Sequence, residues 1–332
     1  VAINGSPSKL WGILETFIRT DKIYHHPDRL FTFRTGGTVK PVTVEMHLTN
    51  RCNINCYYCM YKDRCNSLEM TTDDAKSVID RLSGYGVKGI TFSGGGEPTV
   101  HKDCTEILKY AKVKADVGLI TNGVKFDSEV LNYLIWVRFS VDAASPEVYQ
   151  KIKEKPYFNR VIENITRAVR YRNNKALPVT IGFQSVITEA NYFQLSAMAN
   201  LAELIGVDYF QYRPVERGAK QNKPALPKKD YKIRIIDSWY KWNELSEVDK
   251  YTECPGADFI GAVGADYNFY MCCHHVGDSS ASYGNILTDP ILSSRKQVQD
   301  RFDYSKCPIA CRGAVINQRL KVYNNIEHVN FL

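Results

Sequence analysis

No apolar run approaches the length of a membrane span, so nothing in the sequence reads as a transmembrane helix. The opening residues, VAINGSPSKLWGILETFIRTDK, carry no basic segment followed by an apolar core, so no signal peptide is read there. These two absences predict a soluble, cytoplasmic protein with no membrane partner. Long blocks of Lys or Arg are also missing. The densest basic stretch, KPALPKKDYKIR at 223–234, reads as a solvated loop leading into a helix. The net charge of +7, from 43 basic and 36 acidic residues, is a mild excess. It permits a nucleic-acid partner, but no recognition motif indicates one. There is no internal repeat and no low-complexity tract. With 44% hydrophobic and 12% aromatic residues, the chain can build a sizeable core and is not a disordered one. Its 332 residues suit one large domain or two ordinary ones.

Cysteine, by contrast, is abundant. The ten are Cys52, Cys56, Cys59, Cys65, Cys104, Cys254, Cys272, Cys273, Cys307 and Cys311. In a secreted chain such a number would imply disulfides. In a cytoplasmic chain, with most of them in two clusters, metal binding is the better reading.

From residue 42 short β-branched or aromatic runs alternate with longer helical ones. Strands are predicted at 42–48, 89–94, 117–121, 137–143, 179–187 and 208–215. Helices are predicted at 71–86, 102–113, 127–134, 159–174 and 191–206. Strict alternation implies parallel strands with helices outside. Six units are fewer than the eight of a closed barrel, so the expected fold is α/β, a partial (β/α)6 TIM-like barrel over 42–216. Residues 1–41 read as a lead segment that packs on the barrel. Residues 217–250 read as a polar linker and one helix, YKIRIIDSWYKWNELSEV at 231–248. Residues 251–332, Cys-rich, Gly-rich and irregular, read as a small domain around a metal centre.

Cys52, Cys56 and Cys59 follow the first strand directly, on the face where barrels place their chemistry. Three thiolates on one loop can ligate three irons of a [4Fe–4S] cluster and leave the fourth open. A zinc site would need four ligands, and Cys65 could supply the fourth, so spacing alone leaves zinc open. The rest of the chain decides between them. Tyr58 precedes the third cysteine, and the second strand runs into FSGGGEPT, with Gly94, Gly95, Gly96, Glu97 and Pro98. Together with the (β/α)6 rhythm, residues 42 to about 215 resemble the radical S-adenosylmethionine (radical SAM) superfamily.

The resemblance implies a SAM-binding [4Fe–4S] cluster on Cys52, Cys56 and Cys59. It implies reductive cleavage of SAM to a 5′-deoxyadenosyl radical, and hydrogen-atom abstraction from a substrate. It also implies a one-electron donor such as a flavodoxin or ferredoxin. Tyr58 and the turn Gly94, Gly95 and Gly96 are expected to bind the cofactor, the glycines by letting the backbone approach it closely, and Glu97 to hold the ammonium of SAM. Ser140 and Asp142 at the end of the fourth strand, Gln184 in the fifth and Arg213 in the sixth match positions that contact SAM in the family. The tail, with GADYNFYMCC and then YGNI, resembles the auxiliary-cluster domains called SPASM or, in shorter form, twitch. Five cysteines are enough for one auxiliary [4Fe–4S] cluster, and Cys254, Cys272, Cys307 and Cys311 are the expected ligands. A zinc site built from the same cysteines is the alternative. Cys273, pointing away from Cys272 if the segment is extended, is left as a candidate hydrogen-atom donor. Cys65 and Cys104 read as small buried hydrophobes. The expected reaction is dehydrogenation or epimerisation of a small polar substrate such as a sugar, aminocyclitol or nucleoside. Epimerisation or crosslinking of a ribosomal peptide, and modification of a nucleic-acid base, are the alternatives.

Overall fold

The computed structural model describes residues 20–64, 66–215, 222–226, 229–239, 252–308, 311 and 313–324. Cys65 and half of the helix expected at 231–248, residues 240–248, lie outside these residues. Helix α1 (Pro27–Arg34) precedes the barrel. Then come β1 (Thr43–His47), α2 (Thr72–Gly84), β2 (Gly89–Ser93), α3 (Cys104–Lys112), β3 (Asp116–Thr121) and β4 (Trp136–Ser140). Helices α4 (Pro146–Lys153) and α5 (Phe158–Asn174), β5 (Thr180–Ile187), α6 (Leu195–Ile205) and β6 (Tyr209–Pro214) complete it. β1 to β6 pair in sequence order and all in parallel.

Local chemistry explains the elements. α2 starts where the Thr71 side chain accepts a hydrogen bond from Asp74 N, and it buries Ala75, Val78, Ile79 and Leu82, the spacing of one helical face. In β1, Val44 and Met46 join the main core under the helices. Alternation then turns Glu45 and His47 to the inner face. On that inner face the N-terminal end is plugged. A Cβ at Gly182 would fall 2.0 Å from the Tyr209 ring, and one at Gly118 would fall 2.2 Å from the Trp136 ring. Only glycine lets these rings close the floor and leave the opposite end, where the cysteine loop lies, as the mouth.

Several expectations need correction. The helix expected at 127–134 is a 3-10 helix, Ser128–Tyr133, and α6 is preceded by a 3-10 turn, Tyr192–Gln194. α4 was not expected at all. Part of the helix expected at 231–248 is instead a strand, β7 (Arg234–Asp237), parallel to β6. The free edge of β6 supplies hydrogen-bonding partners that outweigh local helix propensity, and Ile236 is fully buried there.

The C-terminal region continues the same sheet. β8 (Ile260–Val263) runs parallel to β1, and β9 (Asn268–Tyr270) and β10 (Ser282–Asn285) add antiparallel beyond it. The order is β10-β9-β8-β1-β2-β3-β4-β5-β6-β7, an open, partial barrel. Helices α7 (Ile291–Arg301) and α8 (Ala314–Asn324) follow. The lead segment meets the barrel where Arg29 Nη2 donates to Gly86 O at 3.1 Å, and it also packs on the C-terminal region, where Ile23, Leu30 and Val39 form a cluster with Phe259 and Leu320. Among the described residues no helix is long and apolar enough to cross a membrane.

Candidate functional site

The cysteine loop leaves the C-terminal end of β1 and is held from two sides. On one side Gly96 N donates to Thr49 O at 2.9 Å and Glu97 N to Arg51 O at 2.9 Å. A Cβ at Gly96 would stand 2.0 Å from Arg51 O. Gly96 is therefore glycine because the backbone of the cysteine loop lies against it, whereas a Cβ at Gly94 would meet Gly96 O of the same turn at 2.4 Å. On the other side the residues flanking Cys56 dock on the last turn of α4. Asn55 N donates to Lys153 O at 3.0 Å and Tyr57 N to Ile152 O at 3.3 Å.

Glu97 is buried and satisfied. Its Oε1 accepts from Thr99 N at 3.1 Å, Thr99 Oγ1 at 2.6 Å and Thr121 Oγ1 at 2.7 Å, and its Oε2 accepts from Asn122 N at 2.7 Å. Burial pushes the pKa of this carboxyl above the ordinary range, and the four donors oppose that rise. Asn122 extends the link: its Nδ2 donates to Asn53 Oδ1 at 2.7 Å and lies 3.9 Å from Cys52 Sγ.

Asp142 does not present a free carboxylate. Its Oδ2 pairs with Lys153 Nζ and accepts from the Tyr58 hydroxyl, and its Oδ1 accepts from Val186 N at 2.6 Å. Ser140 pairs in register with Gln184, and Lys153 Nζ lies 3.5 Å from Ser140 Oγ. Gln184 is buried, and Arg213 is half-buried opposite Val186. Tyr58, Ser140 and Asp142 thus meet around Lys153, a residue sequence reasoning missed.

The three thiols are close enough to affect one another. Cys52 keeps contact with solvent, yet the protein packed around it pushes its thiol up to about 12, with Glu97, Cys56 and Cys59 adding to the effect. Burial also raises Cys56, against the pull of Lys153. Thiols held up in this way ionise when a metal takes the place of the proton.

The second set of thiols gathers on a narrow cavity lined by Cys254, Cys272, Cys307 and Cys311, with Met271 and His275. Among the described residues no three Cys, His, Asp or Glu side chains converge on one metal ion. The four thiols share a wall instead. Burial pushes Cys254 up to about 11 and Cys307 to about 12, and raises Cys272 well above its ordinary value. Asn317 Nδ2 donates to Cys254 Sγ at 3.4 Å and Gly313 N to Cys311 Sγ at 3.3 Å, as donors around cluster sulfurs do. Cys272 is extended, and Cys273 begins a 3-10 turn. Cys273 packs with Tyr61, Ala262, Tyr270 and Val276, against Cys59 and Met60.

Residues 46–186 match the model of the Radical SAM superfamily. Over those residues the chain carries a radical SAM domain. It is 29% identical over 250 residues to the mycofactocin maturase MftC of Mycolicibacterium smegmatis, a match over 71% of this chain and 60% of that protein. The chain therefore spans about three-fifths of that relative. Two solved structures share its fold. Streptococcus suis SuiB bound to the precursor peptide SuiA has a TM-score of 0.63 at 12% identity, over 83% of this chain and 68% of that one. AnSMEcpe with bound AdoMet has a TM-score of 0.58 at 15% identity, over 86% of this chain and all of that one.

Radical SAM enzymes use a [4Fe–4S] cluster and SAM, and the thiol loop at the mouth fits that cluster. The four-thiol cavity fits an auxiliary cluster. Cys272→Ala is expected to lose the auxiliary cluster's iron, whereas Cys273→Ala keeps the full content in an iron and sulfide assay. Iron loss in the Cys273 variant alone would exchange the two assignments. Glu97→Ala leaves the buried donors of Thr99, Thr121 and Asn122 without an acceptor, at ~1–3 kcal/mol for each. Its unfolding free energy in urea should fall by at least about 2 kcal/mol. An unmoved midpoint would show that water replaces the carboxylate.

Proposed function

We propose that this radical SAM enzyme abstracts a hydrogen atom from a peptide. The observation that carries the reading is the likeness to a maturase over 71% of this chain, and the shape of the mouth agrees with it. A space of about 1170 Å³ opens beside Tyr58, Cys59 and Met60 and is walled by Tyr192, Phe193 and Trp239. Sites for small molecules run to ~300–1,000 Å³, and this space has to take SAM as well as the substrate. Tyr192 and Phe193 are more than half exposed, as residues that grip an extended chain would be. The fold shared with SuiB, solved with a precursor peptide, and the kinship with a maturase support the same choice. The peptide alternative is thus better supported than the small polar substrate expected from the sequence.

When bound, the cluster and SAM supply a 5′-deoxyadenosyl radical that takes the hydrogen atom. The chain's own residues bind and orient. Glu97 Oε1 is fully engaged, but Oε2 accepts only Asn122 N and has a lone pair to offer the ammonium of SAM. Ser140 and Gln184, adjacent in register, and Arg213 are assigned to the rest of SAM. The GGGEP turn fixes the loop and is not assigned direct contact. Cys273, packed behind Cys59 and Met60, is assigned a packing role in place of radical quenching.

The test is substrate-dependent 5′-deoxyadenosine formation by the reconstituted enzyme with SAM and a low-potential reductant. The probes are a random decapeptide pool and a pool of monosaccharides, aminocyclitols and nucleosides, each deuterated on carbon. Deuterium appearing in 5′-deoxyadenosine from the peptide pool alone is expected. Transfer from the small-molecule pool alone would overturn the reading.

A further inference from the structure

Lys153 ends α4, and only 1% of its side chain reaches solvent. An ammonium so withdrawn from water needs a partner. That partner is Asp142, whose side chain is 0% exposed. Tyr58 Oη lies 3.2 Å from Lys153 Nζ and also donates to Asp142. Asp142 adopts a φ of 66°, left-handed backbone that a non-glycine residue keeps only when its surroundings hold it. Two further bonds hold it, Val186 N on Oδ1 at 2.6 Å and Asn191 Nδ2 on its carbonyl at 2.7 Å.

The pair stands against one cysteine in particular. Both neighbours of Cys56 hydrogen-bond to the backbone of Ile152 and Lys153, which brings the end of α4 to that thiol. The bland explanation is that the pair merely stabilises the fold. A buried ion pair is a poor stabiliser, since apolar side chains of similar volume often serve as well or better. Its cost is better explained by a task that needs charge at this place.

We propose that the Lys153–Asp142 pair sets the reduction potential of the iron–sulfur cluster on Cys52, Cys56 and Cys59, with Lys153 favouring the reduced state and Asp142 opposing it. Reduction adds one electron, taken from an external one-electron donor of the flavodoxin or ferredoxin class, and makes or breaks no bond in the chain. The added negative charge is attracted by the ammonium and repelled by the carboxylate. Both act through protein with little water between, where charge carries further than at a surface. Lys153 is a positioning and tuning residue and touches neither substrate nor the reacting atoms. The inference rests on the radical SAM assignment of the three cysteines.

The test is a redox titration of the iron-reconstituted enzyme, following the electron paramagnetic resonance signal that changes when SAM is added, which separates this cluster from the auxiliary one. Lys153→Met should lower the one-electron reduction equilibrium about tenfold, a shift of ~59 mV to more negative potential. Asp142→Asn should move it by a similar factor in the opposite direction. Lys153→Arg, and the double Lys153→Met/Asp142→Asn variant, should stay near the parent. Shifts of the same sign in both single variants, or none, would overturn the proposal. Should Lys153→Met fail to fold, Asp142→Asn is compared with the double variant. A higher potential in the single variant supports the proposal, and equal potentials overturn it. A parent with no SAM-responsive signal would overturn the cluster assignment and the proposal together.

Discussion

The structure depends on holding one short loop still between two partners. Three thiols within eight residues cannot keep a fixed geometry by themselves, because an irregular loop leaves its backbone groups without partners. Here the GGGEP turn bonds the start of the loop through Thr49 and Arg51, and the last turn of α4 bonds its middle through Asn55 and Tyr57. The first partner follows β2 and the second follows β4, so strands that run parallel to β1 bring both to the same end of the barrel. Glycine at 96 is needed for the first docking, and a helix C-terminus with its free carbonyls supplies the second.

The buried polar groups around the loop follow from the same constraint. Glu97 satisfies donors from its own turn and from the end of β3, which ties the second and third strands to the loop. Asp142 does the same between β4 and β5. The auxiliary region is joined to this centre and is not a free appendage. β8 extends the barrel sheet at β1, Tyr61 Oη donates to Cys273 O at 2.7 Å, and Tyr267 Oη reaches Asp74 Oδ2 at 3.0 Å. The two thiol sites are thereby fixed with respect to each other through one sheet and one short segment, Cys272–Cys273.

The parts written in local sequence were legible: strand and helix alternation, the thiols, and the glycine turn. The missed parts arise from tertiary contact. α4 has a readable start, Ser145 as cap with Pro146 at the first helical position, but its eight residues give a weaker periodic signal than the longer α5. Lys153 could not be told from Lys151 or Lys155 without knowing which of them the helix turns toward the loop. Residues 234–237 hold helix and strand propensities in near balance, and the open edge of β6 decides. Asp142 was read as a SAM contact because its position in the chain is right, while its carboxylate is taken up by Lys153, Tyr58 and Val186. Similarly, strand alternation points Cys273 away from Cys272 only if both are extended, and the segment leaves extended geometry at Cys273.

The central claim is that the thiols at residues 52, 56 and 59 hold a four-iron cluster with one iron open to SAM. Mössbauer spectroscopy of the chain reconstituted with iron-57, recorded before and after SAM is added, tests it most directly. The account predicts two four-iron clusters, with one iron of one cluster changing its isomer shift on SAM binding while the other cluster stays unchanged. Spectra indifferent to SAM, or iron held only as isolated tetrahedral thiolate sites, would contradict it.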